Sequence, residues 1–346
     1  MARGRGEGSV DEALTRDKGR PGVRQPDPAG SMARMTSTPA LLMIAHGTRN
    51  PDVAAEVERL IGLVRQRLGV PVGMAWVEWD LIEPAPVDAV GSLLGQGADS
   101  LVTLPLLAFA AGHAKTDVPE ELARIDDAYP GLARRHGTVV GLHPGLLELA
   151  RRRVADARAA AGLALDVPDD EALLVTGPGS SDPDANGDLA KAGRFLAETT
   201  GHRWAEIAFA GVSWPKADEA LRRMRAAGAR RVTRFSWSLL AGVLERRVDQ
   251  MAAGVTDETG LAVVDAGRFG PDGALADAVA DRYHEALHGD ARANCDLCQF
   301  RLPLPGRENR AGLPSAGGTG AQVHPEAQRI QAARADANQP VDWKKA

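Results

Sequence analysis

From Ala40 onward the chain alternates between short, nearly unbroken apolar runs and longer stretches with an apolar residue every third or fourth position. Short apolar runs predict buried strands, and the three-to-four spacing predicts amphipathic helices. The first run, ALLMIA, predicts a strand over 40–45. Val53, Val57, Leu60, Ile61, Val64 and Leu68 then fall on one helical face. Pro51 opens that helix, at a position that has no intrahelical N–H bond to lose. The same reading predicts strands over 70–77, 101–107 and 138–142, and helices over 87–96, 118–129 and 146–161. After a Pro/Asp-containing linker at 162–170 the alternation restarts. Strands are expected over 172–176, 207–212, 232–237 and 261–265, with helices over 185–199, 216–227, 242–253 and 274–288. Strands alternating with helices argue for parallel sheets built from βαβ units.

The restart is an internal repeat. HGTRNPD (46–52) aligns with PGSSDPD (178–184), and EPAPVDAVGSLLGQGAD (83–99) aligns with WPKADEALRRMRAAGAR (214–230). PLLAFAAGH (105–113) faces SWSLLAGV (236–243), with Gly112 on Gly242. The expected fold is therefore α/β, with two tandem duplicated domains, each a parallel sheet flanked by helices. The expected divisions are a disordered tail over 1–38, a first α/β domain over 39–162, its repeat over 163–290, and a CxxC segment with a second disordered tail over 291–346. Met32 and Met35 lie close before the first strand and are candidate starts.

Comparison of the two copies separates backbone needs from chemistry. Gly47 and Gly179 coincide, as do Gly112 and Gly242, whereas His46 faces Pro178 and His113 faces Val243. Both histidines follow apolar strand-like runs in the first copy alone. In a parallel sheet that places them at the carboxyl ends of strands, where open α/β folds bind ligands. Two neutral imidazoles brought together there suit a divalent transition metal.

A net charge of −5 gives no basic field for nucleic acid, so an anionic substrate needs a local basic pocket. No apolar run reaches the length of a membrane span, and the polar, Gly/Arg-rich beginning lacks the apolar stretch of a secretory signal. A cytoplasmic protein, without membrane or nucleic-acid partner, is expected. The two cysteines, Cys295 and Cys298, have the spacing of metal or cluster ligands. Two thiolates fall short of a four-thiolate site. A homodimer pairing two CxxC segments supplies four, and His284 with His288, one helical turn apart, supplies a Cys₂His₂ zinc alternative. An unligated thiol pair is a third reading.

HGTRNPD, PLLAFAAGHAKTDVPEEL and GSSDPDANGDLAKAGRFL (179–196) together resemble the class II chelatases, in particular the long two-domain sirohydrochlorin chelatases. CDLCQFRLPLPG (295–306) is similar to the tail of a cobaltochelatase subgroup, for which the resemblance implies an iron–sulfur cluster. It also implies that His46 and His113 bind the incoming metal beside the tetrapyrrole and are catalytic. Asp80 would occupy the family's acidic position, with Glu78 and Glu83 as neighbouring carboxylates. Where the family usually carries arginine before GSSDP, this chain has Pro178. Sirohydrochlorin is rich in carboxylates, and Lys115 and Arg49 are their expected partners. The implied reaction is insertion of Co²⁺ into sirohydrochlorin on the way to cobalamin. Fe²⁺ insertion for sirohaem, a non-catalytic metal or tetrapyrrole carrier, and a redox sensor built on the tail cysteines are the rivals.

Overall fold

A computed structural model describes residues 38–47, 50, 53–78 and 82–288. Among the described residues, eight strands form two four-stranded parallel sheets. The first contains β1 (Ala40–Ala45), β2 (Val72–Trp76), β3 (Ser100–Pro105) and β4 (Ala133–His136), in the order β2-β1-β3-β4. The second contains β5 (Glu171–Gly177), β6 (Ala205–Phe209), β7 (Arg231–Ser236) and β8 (Ala262–Asp265), in the matching order β6-β5-β7-β8. The helices are α1 (Val53–Leu68), α2 (Pro86–Gly95), α3 (Val118–Ala128), α4 (Pro144–Ala160), α5 (Pro183–Thr200), α6 (Ala217–Ala226), α7 (Val243–Thr259) and α8 (Gly273–His288). No described helix is long and apolar enough to cross a membrane.

The central strands β1 and β5 are buried at every position, as strands covered on both faces must be. Their side chains alternate between two cores. Leu41 and Met43 of β1 join Leu173 and Val175 of β5 in one core between the sheets, with residues of α1, α4, α5 and α8. Leu42 and Ile44 point the other way, into a core closed by α2 and α3. Ala172 and Leu174 do the same in the second half, under α6 and α7. Each wholly buried Leu or Ile contributes roughly 1.5–3 kcal/mol, so the period-two alternation commits the strands to this layering.

The inner layer crosses between the halves. Helix α8, from the second half, lies over the first sheet: Tyr283 donates to the Pro39 carbonyl at 2.7 Å, and Arg282 donates to the carbonyls of Val139 and Val140 at 3.2 and 3.1 Å. Helix α4, from the first half, packs on β7 and β8. Arg158 of α4 pairs with Glu171 of β5 at 2.9 Å. The repeats are contiguous in sequence, but each sheet is covered by the last helix of the other repeat.

The fourth strand departs from the sequence-based expectation. It is ARRH, Ala133–His136, rather than 138–142. As an edge strand with largely half-buried side chains it carries polar residues and shows no apolar run. The apolar 138–142 stretch is a loop with its hydrogen bonds made elsewhere: Val140 N–H donates to Leu107 O at 3.1 Å and Gly141 N–H to Ala108 O at 3.0 Å.

Candidate metal centre

The chain leaves β1 toward β2 on one side and later returns through β3 on the other, so a crevice opens between the carboxyl ends of β1 and β3. His46 immediately follows β1. His113 follows β3 after the 106–112 loop and begins a π-helical turn, His113–Asp117, that runs directly into α3. Single π-helical turns of this kind recur at functional sites. The two imidazoles meet edge to face, with ring centroids 4.1 Å apart.

Each ring has a carboxylate on its Nδ1. Glu78 Oε2 lies 3.2 Å from His46 Nδ1, and the Gly47 carbonyl lies 3.1 Å from the same nitrogen. The Asp117 carboxylate pairs with His113 Nδ1 from one turn along the π-helical segment. A carboxylate on one ring nitrogen selects the tautomer whose other nitrogen carries the free lone pair, an arrangement common behind metal-binding histidines. Both rings therefore offer Nε2 as donor. Burial works against the imidazolium form of His46. The hydrogen bond and charge of Glu78, aided by the Gly47 carbonyl and Asp117, outweigh it and hold the pKa above the ordinary 6.5. Among the described residues no three His, Cys, Asp or Glu side chains converge on a ready-made ion site. The centre is a two-imidazole pair with open positions.

Gly47 makes the Glu78 contact geometrically available. Its φ is +119°, and a Cβ there would stand 2.8 Å from Glu78 Cβ. The backbone completes the approach, with Glu78 N–H donating to His46 O at 2.9 Å. Glu78 was, with Glu83, one of two neighbouring carboxylates in the sequence reading; Asp80, its first choice, and Arg49 lie outside the described residues. Asp117 was missed. Its signal was a carboxylate four residues after a strand-end histidine.

Lys115 requires a correction. Expected to meet a substrate carboxylate, its ammonium is instead enclosed by protein carboxylates: Asp182 Oδ2 at 2.6 Å and Asp184 Oδ2 at 3.0 Å. Its side chain is only 6% exposed, because an ammonium this deeply buried needs countercharge close by. Asp182 also caps α5, its Oδ1 accepting from Asp184 N–H at 3.1 Å. The Gly/Ser/Asp turn of the second half is thus both a helix cap and an anchor for the first half.

The equivalent edge of the second half carries no imidazole pair. It exposes Val212, Trp214 and Val243 instead. A cavity of about 220 Å³ opens beside it, lined by Asn50, Ser236, Glu245 and three arginines. Two of these are already paired: Arg234 with Asp249 at 2.5 Å and Asp265 at 2.9 Å, and Arg268 with Glu245 at 3.4 Å and also with Glu56.

The remaining described histidines have local partners; His202 is buried, with Nδ1 meeting the Thr200 hydroxyl at 2.7 Å. His136, at the exposed end of β4, has its pKa pushed down to about 4, chiefly by desolvation of the ring and then by the Arg134 charge, and meets the Thr103 hydroxyl at 2.9 Å. His143 caps α4 through Gly145 N–H at 3.1 Å. His284 and His288 stack at 6.2 Å on α8. Cys295 and Cys298 lie outside the described residues, so the cluster, zinc and cysteine-paired homodimer expectations have no structural counterpart here, and the relatives below lend the iron–sulfur cluster no support.

The CbiX family model matches residues 40–157 and again 172–286. A sirohydrochlorin cobaltochelatase of Priestia megaterium is 29% identical over 267 residues, covering 77% of this chain and 85% of the relative. A sirohydrochlorin ferrochelatase of the same organism is 24% identical over 212 residues, covering 61% and 77%. The crystal structure of the sirohydrochlorin chelatase SirB from Bacillus subtilis subspecies spizizenii, in complex with cobalt, shares the fold. Its TM-score is 0.61 at 20% identity, covering 73% of this chain and 97% of that one.

Proposed function

Since the chain belongs to the CbiX family of class II chelatases, we propose that it inserts a divalent metal into sirohydrochlorin, with His46 and His113 as the groups that receive and release the ion. The observation that carries this reading is the imidazole pair at the carboxyl ends of β1 and β3, each ring backed by a carboxylate on Nδ1.

The reaction exchanges one divalent ion for two pyrrole N–H protons, so charge balances. Two imidazole nitrogens hold the ion while leaving coordination positions for the macrocycle. As the ion passes to the pyrrole nitrogens, each Nε2 lone pair is freed to accept a departing proton. Glu78 and Asp117 then stabilise the imidazolium so formed. Two imidazoliums about 4 Å apart repel by roughly 1 kcal/mol in water and about 4 kcal/mol at an effective dielectric of 20. The protons therefore leave one after the other, with His46, already biased toward its charged form by Glu78, taking the first.

Co²⁺ is the proposed substrate metal and Fe²⁺ the alternative. An imidazole site accepts several first-row ions, and availability decides among them. The test is anaerobic absorbance spectroscopy of sirohydrochlorin with Co²⁺ or Fe²⁺, with catalytic amounts of wild type, His46→Ala or His113→Ala. Conversion accelerated by wild type and lost in both variants is expected, and the relative rates rank the metals. Stoichiometric binding of metal or pigment without metallated product would identify a carrier instead.

A further inference from the structure

We propose that Asp182 and Asp184, from the second half, act as positioning residues for His113, working through Lys115. The inference rests on the reading of His113 as a metal-binding group and adds what holds that group in place.

His113, Lys115 and Asp117 share one five-residue π-helical turn. Its backbone is closed by Val118 N–H donating to His113 O, and the Thr116 hydroxyl inside it is buried without a hydrogen-bond partner. A π-helical turn is an uncommon backbone form, and surroundings that over-determine it are what keep such a form populated. Those surroundings come from the second half. On the amino side, Phe109 of the preceding loop stacks on Trp237 at 6.1 Å with the rings 10° from parallel. On the turn itself, Lys115 is gripped by Asp182 and Asp184.

The grip is built on a rigid support. Asp182 is 1% exposed, and its N–H donates to Ser180 Oγ at 3.0 Å. Ser180 is held in turn by Asn186: its N–H meets Asn186 Oδ1 at 3.0 Å, and its carbonyl accepts from Asn186 Nδ2 at 2.7 Å. Ser213 adds a further donor to the same carbonyl at 2.7 Å. With Asp182 Oδ1 occupied by the α5 cap and Oδ2 by Lys115, this carboxylate has little freedom to move. The position of the His113 ring relative to His46 is thus referred to the start of α5. The pair that supplies metal donors belongs wholly to the first half, and the part that sets its spacing belongs to the second.

Asp182→Asn separates charge from capping, because asparagine caps a helix about as well as aspartate. Three readouts are taken on the intact chain: Co²⁺ affinity from ligand-field absorbance titration with the metal alone, imidazole ¹⁵N shifts of His113 in metal-free protein, and melting temperature. Partners behind metal-binding histidines set affinity by about 10–100-fold, so weakening of about tenfold is expected for Asp182→Asn, with displaced His113 ¹⁵N shifts. The double variant Asp182→Asn/Lys115→Met removes the orphaned cation. Recovery of melting temperature without recovery of Co²⁺ affinity supports positioning; recovery of both reduces the contact to stability alone and overturns the proposal. Co²⁺ affinity within twofold of wild type and unchanged ¹⁵N shifts in Asp182→Asn also overturn it. Should Asp182→Asn not fold, Asp184→Asn leaves the cap untouched and is read by the same measurements. His113→Ala in the same titration tests the underlying reading: unchanged Co²⁺ binding there would sink the role of His113 in metal binding, while the metal-free ¹⁵N shifts still report on the anchor.

Discussion

Arg158→Ala removes the cation that fastens α4 to the second sheet. The Arg158 side chain is 6% exposed and that of Glu171 is fully buried. Nε donates to Glu171 Oε1 at 2.9 Å and Nη2 reaches Oε2 at 3.4 Å. Two further guanidinium protons go to the carbonyls of Leu165 and Asp166 at 3.1 and 3.2 Å, tying the linker between the repeats to the same pair. Thr233 donates to Oε1 at 2.8 Å. Without the guanidinium, the carboxylate stays buried with much less countercharge, and breaking a buried pair in this way costs about 3–5 kcal/mol. Two groups remain near, Arg231 Nη1 at 3.6 Å and His202 Nε2 at 3.6 Å. Burial pushes the His202 pKa down to about 4, so at neutral pH it contributes no charge. Arg231 alone compensates, which places the loss near the lower bound, about 3 kcal/mol. With unfolding entropy growing with chain length, that is a fall in melting temperature of about 4–6 °C.

The same loss depends on pH in a defined direction. Burial pushes the Glu171 carboxyl up, but the hydrogen bonds and charge of Arg158 and the Thr233 hydroxyl more than offset this and hold it below the ordinary carboxylate value. A depressed folded pKa gives stability that is complete above the unfolded value, about 4.3, and lost as pH falls through the folded one. In Arg158→Ala burial dominates instead, and the carboxyl takes up a proton at mildly acidic pH, where its charge no longer matters. The gap between variant and wild type is therefore widest near neutrality and narrows toward pH 5. Urea unfolding at pH 7.5 and pH 5 measures both. A loss under about 1 kcal/mol at pH 7.5, or a gap that does not narrow on acidification, would refute the reasoning.

Three further outcomes are expected. Gly47→Ala, at φ +119° and with its new Cβ 2.8 Å from Glu78 Cβ, strains the backbone by about 1–3 kcal/mol and separates Glu78 from His46; Co²⁺ affinity equal to wild type in a titration would contradict this. Glu78→Gln removes the largest of the effects that raise the His46 pKa, leaving burial opposed only by the Gly47 carbonyl and Asp117, so the pKa falls, the proton competes less with metal and Co²⁺ binding persists to lower pH; an unmoved or upward-shifted pH profile goes against the assignment. Tyr283→Phe deletes the 2.7 Å bond to the Pro39 carbonyl, costing about 1 kcal/mol and roughly 1.5–2 °C of melting temperature by calorimetry, and an unchanged transition would argue that the α8 contact contributes nothing.

The layering was legible where burial is two-sided. ALLMIA and ALLVT read as strands because each face of a central strand meets a core, and the α1 stripe reads as a helix because Val53, Val57, Leu60 and Val64 are its buried face. β4 was misplaced because an edge strand has one partner and partial exposure, so ARRH carries no apolar signature. The histidine pair was legible from the difference between the two copies. Its supports were less so. Glu78 follows from β1–β2 register, which pairs Ala45 with Trp76 and leaves Glu78 next to His46. Asp117 depends on the π-helical form of the turn, which no hydrophobic pattern encodes. The Lys115 grip depends on how the halves pack, and the exchange of α4 and α8 is invisible to a repeat read as two self-contained units.

That exchange explains how duplication permits an asymmetric site. Gly47 and Gly179 both sit at positive φ, 119° and 82°, so the backbone turn after the first strand is kept in both copies. The side chains then diverge. Beside Gly47 stands His46; beside Gly179 stands Pro178. At the residue equivalent to Asn50 the second copy has Asp182, whose second oxygen reaches across to Lys115. A half standing alone would have to supply both the donors and the frame that spaces them, on a sheet missing the helix over β3 and β4. With the inner helices exchanged, the second half is held against the first by a shared core, and its own strand-end turn is released from ligand chemistry. An aspartate there caps α5 and braces the His113 turn in one stroke, which a metal ligand at the same place could not do.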